Sequence, residues 1–409
     1  MEFRDYQKAI IYKGKGILDK HKFLYLAMEV RTGKTLTSLG IAQRMNVRNV
    51  LFITKKKAIS SINDDFELLA PDYYMHTINY ESIHKIPKKK WDLIIVDEAH
   101  SMGAFPKPSG RAKKVGDIIR RHRPYVILMS GTPTPESYSQ MYHQVYSIPK
   151  NPFRGYTNFY RFANDYVNKK EKYINGRRIN DYSEGKVDIV KKMNPYTINY
   201  TQKQAGFVSN IKEHKIYVPV DDSIYDMVTV LRKHRVLELS GGRVILADTP
   251  VKLMQKVHQL FSGTCKFEDG SSSVLDDSKA IFIKNRFKDH KIGIFYKFKE
   301  ELNAMKQVFG DTLTTDLQEF QSHPTKSIAL QIVSGREGLS LRQAKFLVYY
   351  NIDFSATSYW QSRDRMTTKE RANNEVFWVF ASQGIEDKIY RAVSAKKNYT
   401  LQHFKSDFI

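Results

Sequence analysis

The sequence predicts an α/β protein of two tandem lobes, each on a parallel sheet, with an aromatic-rich basic insertion or extension in the first lobe. Three observations carry this. Short apolar runs alternate with stretches of helical spacing over residues 1–150, and a second series of the same kind begins near residue 292. Between residues 151 and 200 the alternation stops, and the segment holds ten Lys/Arg against five Asp/Glu together with many Tyr and Phe. The length, 409 residues, suits two domains of about 150–200 residues each.

The first series comprises FLYLA (23–27), VLFIT (50–54), LIIVD (93–97) and YVILMS (125–130). Their shortness and β-branched content fit buried parallel strands with helices on both faces. In the aromatic segment, YINGRRI (173–179) sets Asn-Gly between apolar residues, which predicts a hairpin with Arg177 and Arg178 near its tip. The ring-rich remainder is expected to fill a satellite core. A helix is predicted through DSIYDMVTVLRKHRVLEL, then a Gly-Gly break at 241–242, a helix around VKLMQKVHQLF and a loop at 268–278. The second series is IGIFY (292–296), SIALQIV (327–333), FLVYY (346–350) and EVFWVFA (375–381).

Hydrophobic residues make up 41% and charged residues 27%, the balance of a soluble globular chain. No apolar run approaches the ~18 residues that span a bilayer. The opening MEFRDYQKAI has no signal-peptide pattern. A single cysteine, Cys265, excludes intramolecular disulfides and a multi-cysteine zinc site. The expectation is an intracellular, cytoplasmic setting and no membrane partner. The excess of 66 Lys+Arg over 43 Asp+Glu, net +23, points to a polyanionic partner. Basic runs stand at 55–57, 88–90, 111–114 and 120–123; each alone also reads as a solvated face.

One short stretch suggests chemistry. AMEVRTGKT (27–35) follows an apolar run and precedes LTSLGIAQRM, a strand–loop–helix setting for a phosphate-binding loop. Lys34 would reach the β/γ-phosphates and Thr35 would ligate Mg²⁺, with Arg31, Thr32 and Gly33 lining the nucleotide. GKT alone is three common residues. WDLIIVDEAH (91–100) adds an apolar strand ending in two acids. Carboxylates at the carboxyl end of a parallel strand face the ligand crevice. Asp97 is placed to hold Mg²⁺ and Glu98 to orient and deprotonate the attacking water.

At this point the sequence resembles the superfamily 2 helicases. DEAH after four apolar residues is similar to their second motif, and SGTPTPES (130–137) to their third. FRDYQ (3–7) resembles the adenine-side motif, with Gln7 as base reader. VLFITKKKAISS (50–61) resembles the motif that contacts nucleic-acid backbone, which implies that role for Thr54 and Lys55. SIALQIVSGREGLSL (327–341) resembles the fifth motif: Gly338 falls at the nucleotide, and Ser334 and Arg336 are candidates for nucleic acid. SYWQSRDRM (358–366) resembles the sixth, with Gln361 at the nucleotide and Arg365 as the arginine that stabilises the transferred phosphoryl group.

The motif order and spacing are most similar to the SWI/SNF-like branch, and within it to small phage-encoded branch-migration helicases. NYTQKQAGF (199–207) stands where that branch has an arginine-rich motif. The resemblance implies tandem RecA-like lobes: an ATP-binding lobe over 1–218, with its extension at about 151–205, and a C-terminal lobe over 219–409. It implies ATP and Mg²⁺ as cofactors, and an ATP hydrolase coupled to translocation or unwinding on duplex, forked or branched DNA. The setting would be recombination, replication or repair, alongside proteins of those processes, in a bacterial host cytoplasm if phage-encoded. The alternatives are a DEAH-type RNA helicase and a nucleic-acid-binding protein with a degenerate motor.

Two departures stand out. Met28 and Arg31 occupy positions where the family has glycine. A positive φ would cost either residue roughly 1–2 kcal/mol, so right-handed or extended backbone is expected at both. Thr368 replaces a second arginine, whose role would fall to Arg363 or Arg371 or to none. The NGRR hairpin is expected either to touch duplex DNA near a junction or to be a plain surface hairpin.

Overall fold

The computed structural model describes residues 2–174, 177–206, 210–239, 241–335, 341–363, 373–395 and 398–408. The chain forms two units, Met1–Phe207 and Val208–Ile409.

The first unit contains β1 (Phe23–Met28), β2 (Asn49–Thr54), β3 (Tyr74–Asn79), β4 (Leu93–Val96), β5 (Tyr125–Met129), β6 (Lys170–Ile174), β7 (Arg177–Asp181) and β8 (Thr197–Tyr200). Six of these form one sheet in the order β3-β2-β4-β5-β1-β8, and its pairings are parallel. Strand geometry sends alternate side chains to opposite faces. Phe23 and Tyr25 of β1 enter one core, which also receives Val115 and Ile119 from the helix Gly110–His122. Leu24, Leu26 and Met28 enter the other, with Ile10 and Leu18 of α1 (Asp5–His21) and Leu39 and Ile41 of α2 (Lys34–Arg44). Helices therefore cover both faces, as the alternating apolar runs predict.

The 151–205 segment is more ordered than its sequence suggests. It forms the helix Phe159–Tyr166, the antiparallel hairpin β6–β7, the helix Asp188–Met193 and β8. Phe153, Phe159 and Phe162 are buried beside Tyr142 in the same core that receives Phe23 and Tyr25 of β1, so they extend the main core rather than fill a satellite one. β8 has no apolar run to announce it: TINY is four residues long and lies half-buried at the sheet edge.

The second unit contains β9 (Asn210–Val218), the hairpin β10 (Val236–Leu239) with β11 (Arg243–Leu246), the pair β12 (Thr264–Lys266) and β13 (Ser272–Val274), then β14 (Ile292–Tyr296), β15 (Leu313–Thr314), β16 (Ser327–Gln331), β17 (Phe346–Tyr349) and β18 (Asn373–Ala381). Its six-stranded sheet runs β15-β16-β14-β17-β18-β9, again with parallel pairings. Two such parallel sheets with flanking helices are the architecture of tandem RecA-like lobes.

Three further sequence expectations need correction. The division at 218/219 put residues 210–218 in the first lobe, yet β9 pairs with β18 from Asn210↔Asn373 to Val218↔Ala381, so they belong to the second. The helix expected through VLEL stops at His234, because Arg235 turns left-handed at φ 65° and the chain continues as β10. The loop foreseen at 268–278 contains β13, paired with β12. Among the described residues no helix is long and apolar enough to cross a membrane.

Candidate nucleotide site

The loop between β1 and α2 is held from three sides. From below, Gly33 caps α2 in the left-handed region at φ 78°. A Cβ there would meet Gln7 Nε2 at 2.5 Å, and the positive φ further favours glycine. Thr37 Oγ1 donates to Gly33 O at 2.8 Å and Thr32 Oγ1 to Glu29 O at 2.7 Å. From the side, α1 supplies Tyr6, whose hydroxyl donates to Thr32 O at 3.1 Å, and Gln7, whose Nε2 donates to Gly33 O at 3.5 Å. Gln7 Oε1 meanwhile accepts Arg4 N at 3.0 Å. From the turn after β8, Gln202 N donates to the Glu29 carboxylate at 2.7 Å and Gln202 Nε2 to Val30 O at 3.0 Å. Tyr200 stacks on Tyr6 with ring centres 4.8 Å apart.

The two missing glycines resolve differently. Met28 is the buried last residue of β1, as the extended expectation has it. Arg31 takes φ 63°, against the expectation, so the loop carries a left-handed non-glycine residue beside Gly33. α2 then begins at Lys34. The first N–H groups of a helix point out of its N-terminus and favour an anion there.

Lys34 Nζ lies 3.5 Å from Glu29 O and would be 3.6 Å from a Cβ on Gly131, at the start of the turn after β5. The half-buried Thr35 follows it in the first turn. Asp97 leaves the end of β4 with its N–H on Ile53 O at 2.8 Å. Its carboxylate accepts from Thr54 Oγ1 at 2.9 Å, and the Tyr80 hydroxyl donates to its carbonyl. Burial and the neighbouring Glu98 charge push the Asp97 carboxyl up to about 6, while Lys34 and Thr54 pull the other way. Glu98 is itself left-handed, at φ 49°. Its Oε2 is buried without hydrogen-bond geometry, though His100 Nδ1 lies 3.2 Å away. His100 Nδ1 is also 2.9 Å from Ser130 Oγ, which accepts Thr132 N at 3.1 Å.

Lys34, Thr35, Asp97, Glu98 and the 130–132 turn thus gather at the carboxyl ends of β1, β4 and β5. A half-buried carboxylate pair beside an ammonium group and a helix N-terminus fits a divalent cation with a nucleotide phosphate.

Thr54 does not present itself to nucleic acid: it is fully buried and braces Asp97. Lys55 follows it, half-buried, ahead of the turn Lys56–Ala58. Arg178 is exposed on β7 and ion-paired with Glu171 of β6; Arg177 lies in the same strand. In the second unit, Gln361 is buried in the helix Ala356–Arg363, with Oε1 lacking a hydrogen-bond partner among the described residues. Ser334 lies in the short helix Ile332–Gly335. Arg336, Gly338, Arg365, Thr368 and Arg371 fall outside the described residues. Arg363 bonds Glu213 at 3.1 Å and covers the Trp360 ring at 4.2 Å.

Sequence reasoning missed Tyr6, Glu29, Tyr80, Tyr200 and Gln202 as supports of this site. Tyr6 stood inside the quoted FRDYQ. Tyr200 and Gln202 lie inside NYTQKQAGF (199–207), the segment set by resemblance at an arginine-rich motif, but their contacts to the loop are not written in it.

Comparison with known proteins gives three findings. Residues 1–90 match the family model described as Type III restriction enzyme, res subunit. No curated protein matches the chain. Among solved structures the chain is similar to the Sulfolobus solfataricus SWI2/SNF2 ATPase core in complex with dsDNA, at 14% identity and TM-score 0.44, covering 100% of this chain and 93% of that one.

Proposed function

We propose that the chain is an ATP-dependent motor that acts on duplex, forked or branched DNA. The observation that carries this is the gathering of Lys34, Asp97 and Glu98 at one sheet edge, beside a loop clamped by α1 and β8. Lys34 binds the terminal phosphates, Thr35 and Asp97 hold Mg²⁺, and Glu98 orients the attacking water and takes its proton. When bound, Mg²⁺ neutralises charge on the phosphates. The contact series Glu98–His100–Ser130–Thr132 joins the hydrolytic carboxylate to the turn after β5. It offers a route by which the γ-phosphate biases the first unit between two states. Motion on DNA requires those states to differ in nucleotide affinity.

The match of residues 1–90 to a restriction-enzyme subunit supports a DNA substrate, as does the charge of +23. Arg365 as the phosphoryl-stabilising arginine, a setting in recombination, replication or repair, and a cytoplasmic location are read from the motif resemblance. The test is ATP hydrolysis measured alone and with duplex DNA, forked DNA or RNA. Stimulation by DNA that is lost in Lys34→Ala and Glu98→Gln is the expected result. Turnover at the wild-type rate in either variant, or stimulation by RNA alone, overturns the reading.

A further inference from the structure

A parallel sheet starts all its strands on one edge, and in the first unit that edge lies opposite the nucleotide loop. Four adjacent strands, β2, β4, β5 and β1, are each entered from basic residues: Arg48, the run Lys88-Lys89-Lys90, Arg123 and Lys22. Backbone hydrogen bonds hold these entries side by side. Asp92 N donates to Asn49 O at 3.0 Å, Tyr125 N to Asp92 O at 2.9 Å, and Val126 N to Lys22 O at 3.0 Å. With strands about 4.8 Å apart, the row is about 15 Å long. Residues far apart in sequence thus form one line, which no single basic run discloses.

These cations are exposed, as is Asp72 just ahead of the neighbouring strand β3; two other acids of the unit are engaged. The Asp92 carboxylate accepts Arg48 N at 3.2 Å and Asn49 N at 3.0 Å, and Asp117 pairs with Arg120 at 2.6 Å. The Tyr74 ring beside the row is covered by Lys89 Nζ at 3.7 Å. A line of charge without an apolar centre suits backbone phosphates better than a protein interface.

We propose that this edge is a second nucleic-acid-backbone surface, opposite the nucleotide edge of the first unit and made of none of the residues named above as nucleic-acid contacts. It rests on the DNA reading of the preceding section. A duplex carries one negative charge per about 1.7 Å of axis, so the row spans several phosphates. It would hold the motor on its track through all nucleotide states, because no residue in it touches the nucleotide loop.

The experiment compares Arg48→Glu/Lys88→Glu/Lys90→Glu with a control of equal charge change in the second unit, Lys233→Glu/Lys288→Glu/Lys306→Glu. Binding of a short duplex is followed by anisotropy over a range of salt, and ATP affinity and DNA-free ATPase report that the first unit is folded. The edge variant is expected to bind about tenfold more weakly, with a salt slope lower by about 0.9 for each phosphate it no longer neutralises. Its DNA-free ATPase should equal wild type, and the control should lose far less affinity. Equal losses in the two variants, or wild-type affinity in the edge variant, overturn the proposal while leaving the motor reading intact. So does an edge variant that loses binding to phosphatidylserine vesicles but not to duplex. A wild-type chain that binds no duplex at all overturns both.

Discussion

The Glu29 carboxylate accepts the backbone N–H of Gln202 at 2.7 Å, across 173 residues of sequence. This contact closes the nucleotide loop against β8 and makes the aromatic-rich segment part of the site rather than an appendage. Gln202→Ala keeps the backbone bond but removes the Nε2 bond to Val30 O, a loss of about 1 kcal/mol. Glu29→Ala removes the acceptor and leaves Gln202 N to find water. Both are expected to raise the KM for ATP several-fold with a smaller change in kcat, Glu29→Ala the more so. Steady-state kinetics decide it; an unchanged KM in Glu29→Ala would show that the β8 clamp does not order the loop.

Arg31 holds φ 63° in a position where the helicases it resembles have glycine. The left-handed region costs an ordinary residue roughly 1–2 kcal/mol, which glycine avoids at the expense of a more flexible unfolded chain. Arg31→Gly is therefore expected to be neutral or to stabilise the first unit by up to about 1 kcal/mol. Arg31→Val, branched at Cβ, should destabilise it. Denaturant unfolding followed at Trp91 measures both, and a destabilised glycine variant would show that the side chain's contacts outweigh the backbone strain.

Thr54 illustrates where a single sequence stops being informative. The resemblance assigns it to nucleic acid, yet its hydroxyl sits at 2.9 Å from Asp97 Oδ2, fully buried. The strands, the loop and the DEAH carboxylates are legible because each is written locally, in apolar runs and short spacings. The Thr54–Asp97 bond is set by the β2–β4 pairing, Ile53↔Val96, and the place of Gln202 by the β8–β1 pairing, Met28↔Tyr200. Such facts belong to strand order, which one sequence does not spell out. Thr54→Val should raise the Mg²⁺ concentration needed for half-maximal ATPase several-fold, and Thr54→Ser should restore it. Reduced DNA affinity with unchanged Mg²⁺ dependence would return the residue to its expected role.

His258 is buried, with Nε2 2.6 Å from Asn351 Oδ1. Burial, and then Lys297, hold its imidazole well below the usual 6.5, against a smaller raising effect from Asn351. Above pH 6.5 neither the folded nor the unfolded chain protonates it, and its contribution to stability is fully present. Below that value the unfolded chain takes up a proton that the folded chain refuses, so stability falls as pH falls. One proton corresponds to a slope of about 1.4 kcal/mol per pH unit. The buried Glu301 in the same network, raised by its burial, acts in the opposite sense, so the difference between wild type and His258→Gln is the quantity to measure. The variant should show the shallower acid limb in unfolding followed at Trp360 and Trp378. Parallel limbs would place the proton uptake elsewhere.

Glu213 of β9 gathers four donors. Tyr359 Oη bonds its two oxygens at 2.8 and 2.9 Å, Trp378 Nε1 at 2.8 Å, Tyr390 Oη at 3.1 Å and Arg363 Nη1 at 3.1 Å. This carboxylate ties β9 to β18 and to the helix that carries Gln361, which explains why residues 210–218 belong to the second unit. Removing it takes the shared acceptor away from a buried indole N–H, two phenols and a guanidinium. Glu213→Ala is expected to destabilise the second unit by about 3–5 kcal/mol, whereas Glu213→Gln retains an acceptor and should cost less. If Arg363 serves packing through this carboxylate, Arg363→Ala lowers the unfolding midpoint of the second unit while kcat below that midpoint stays near wild type. A collapse of kcat with an unchanged midpoint would instead make Arg363 the arginine that Thr368 lacks.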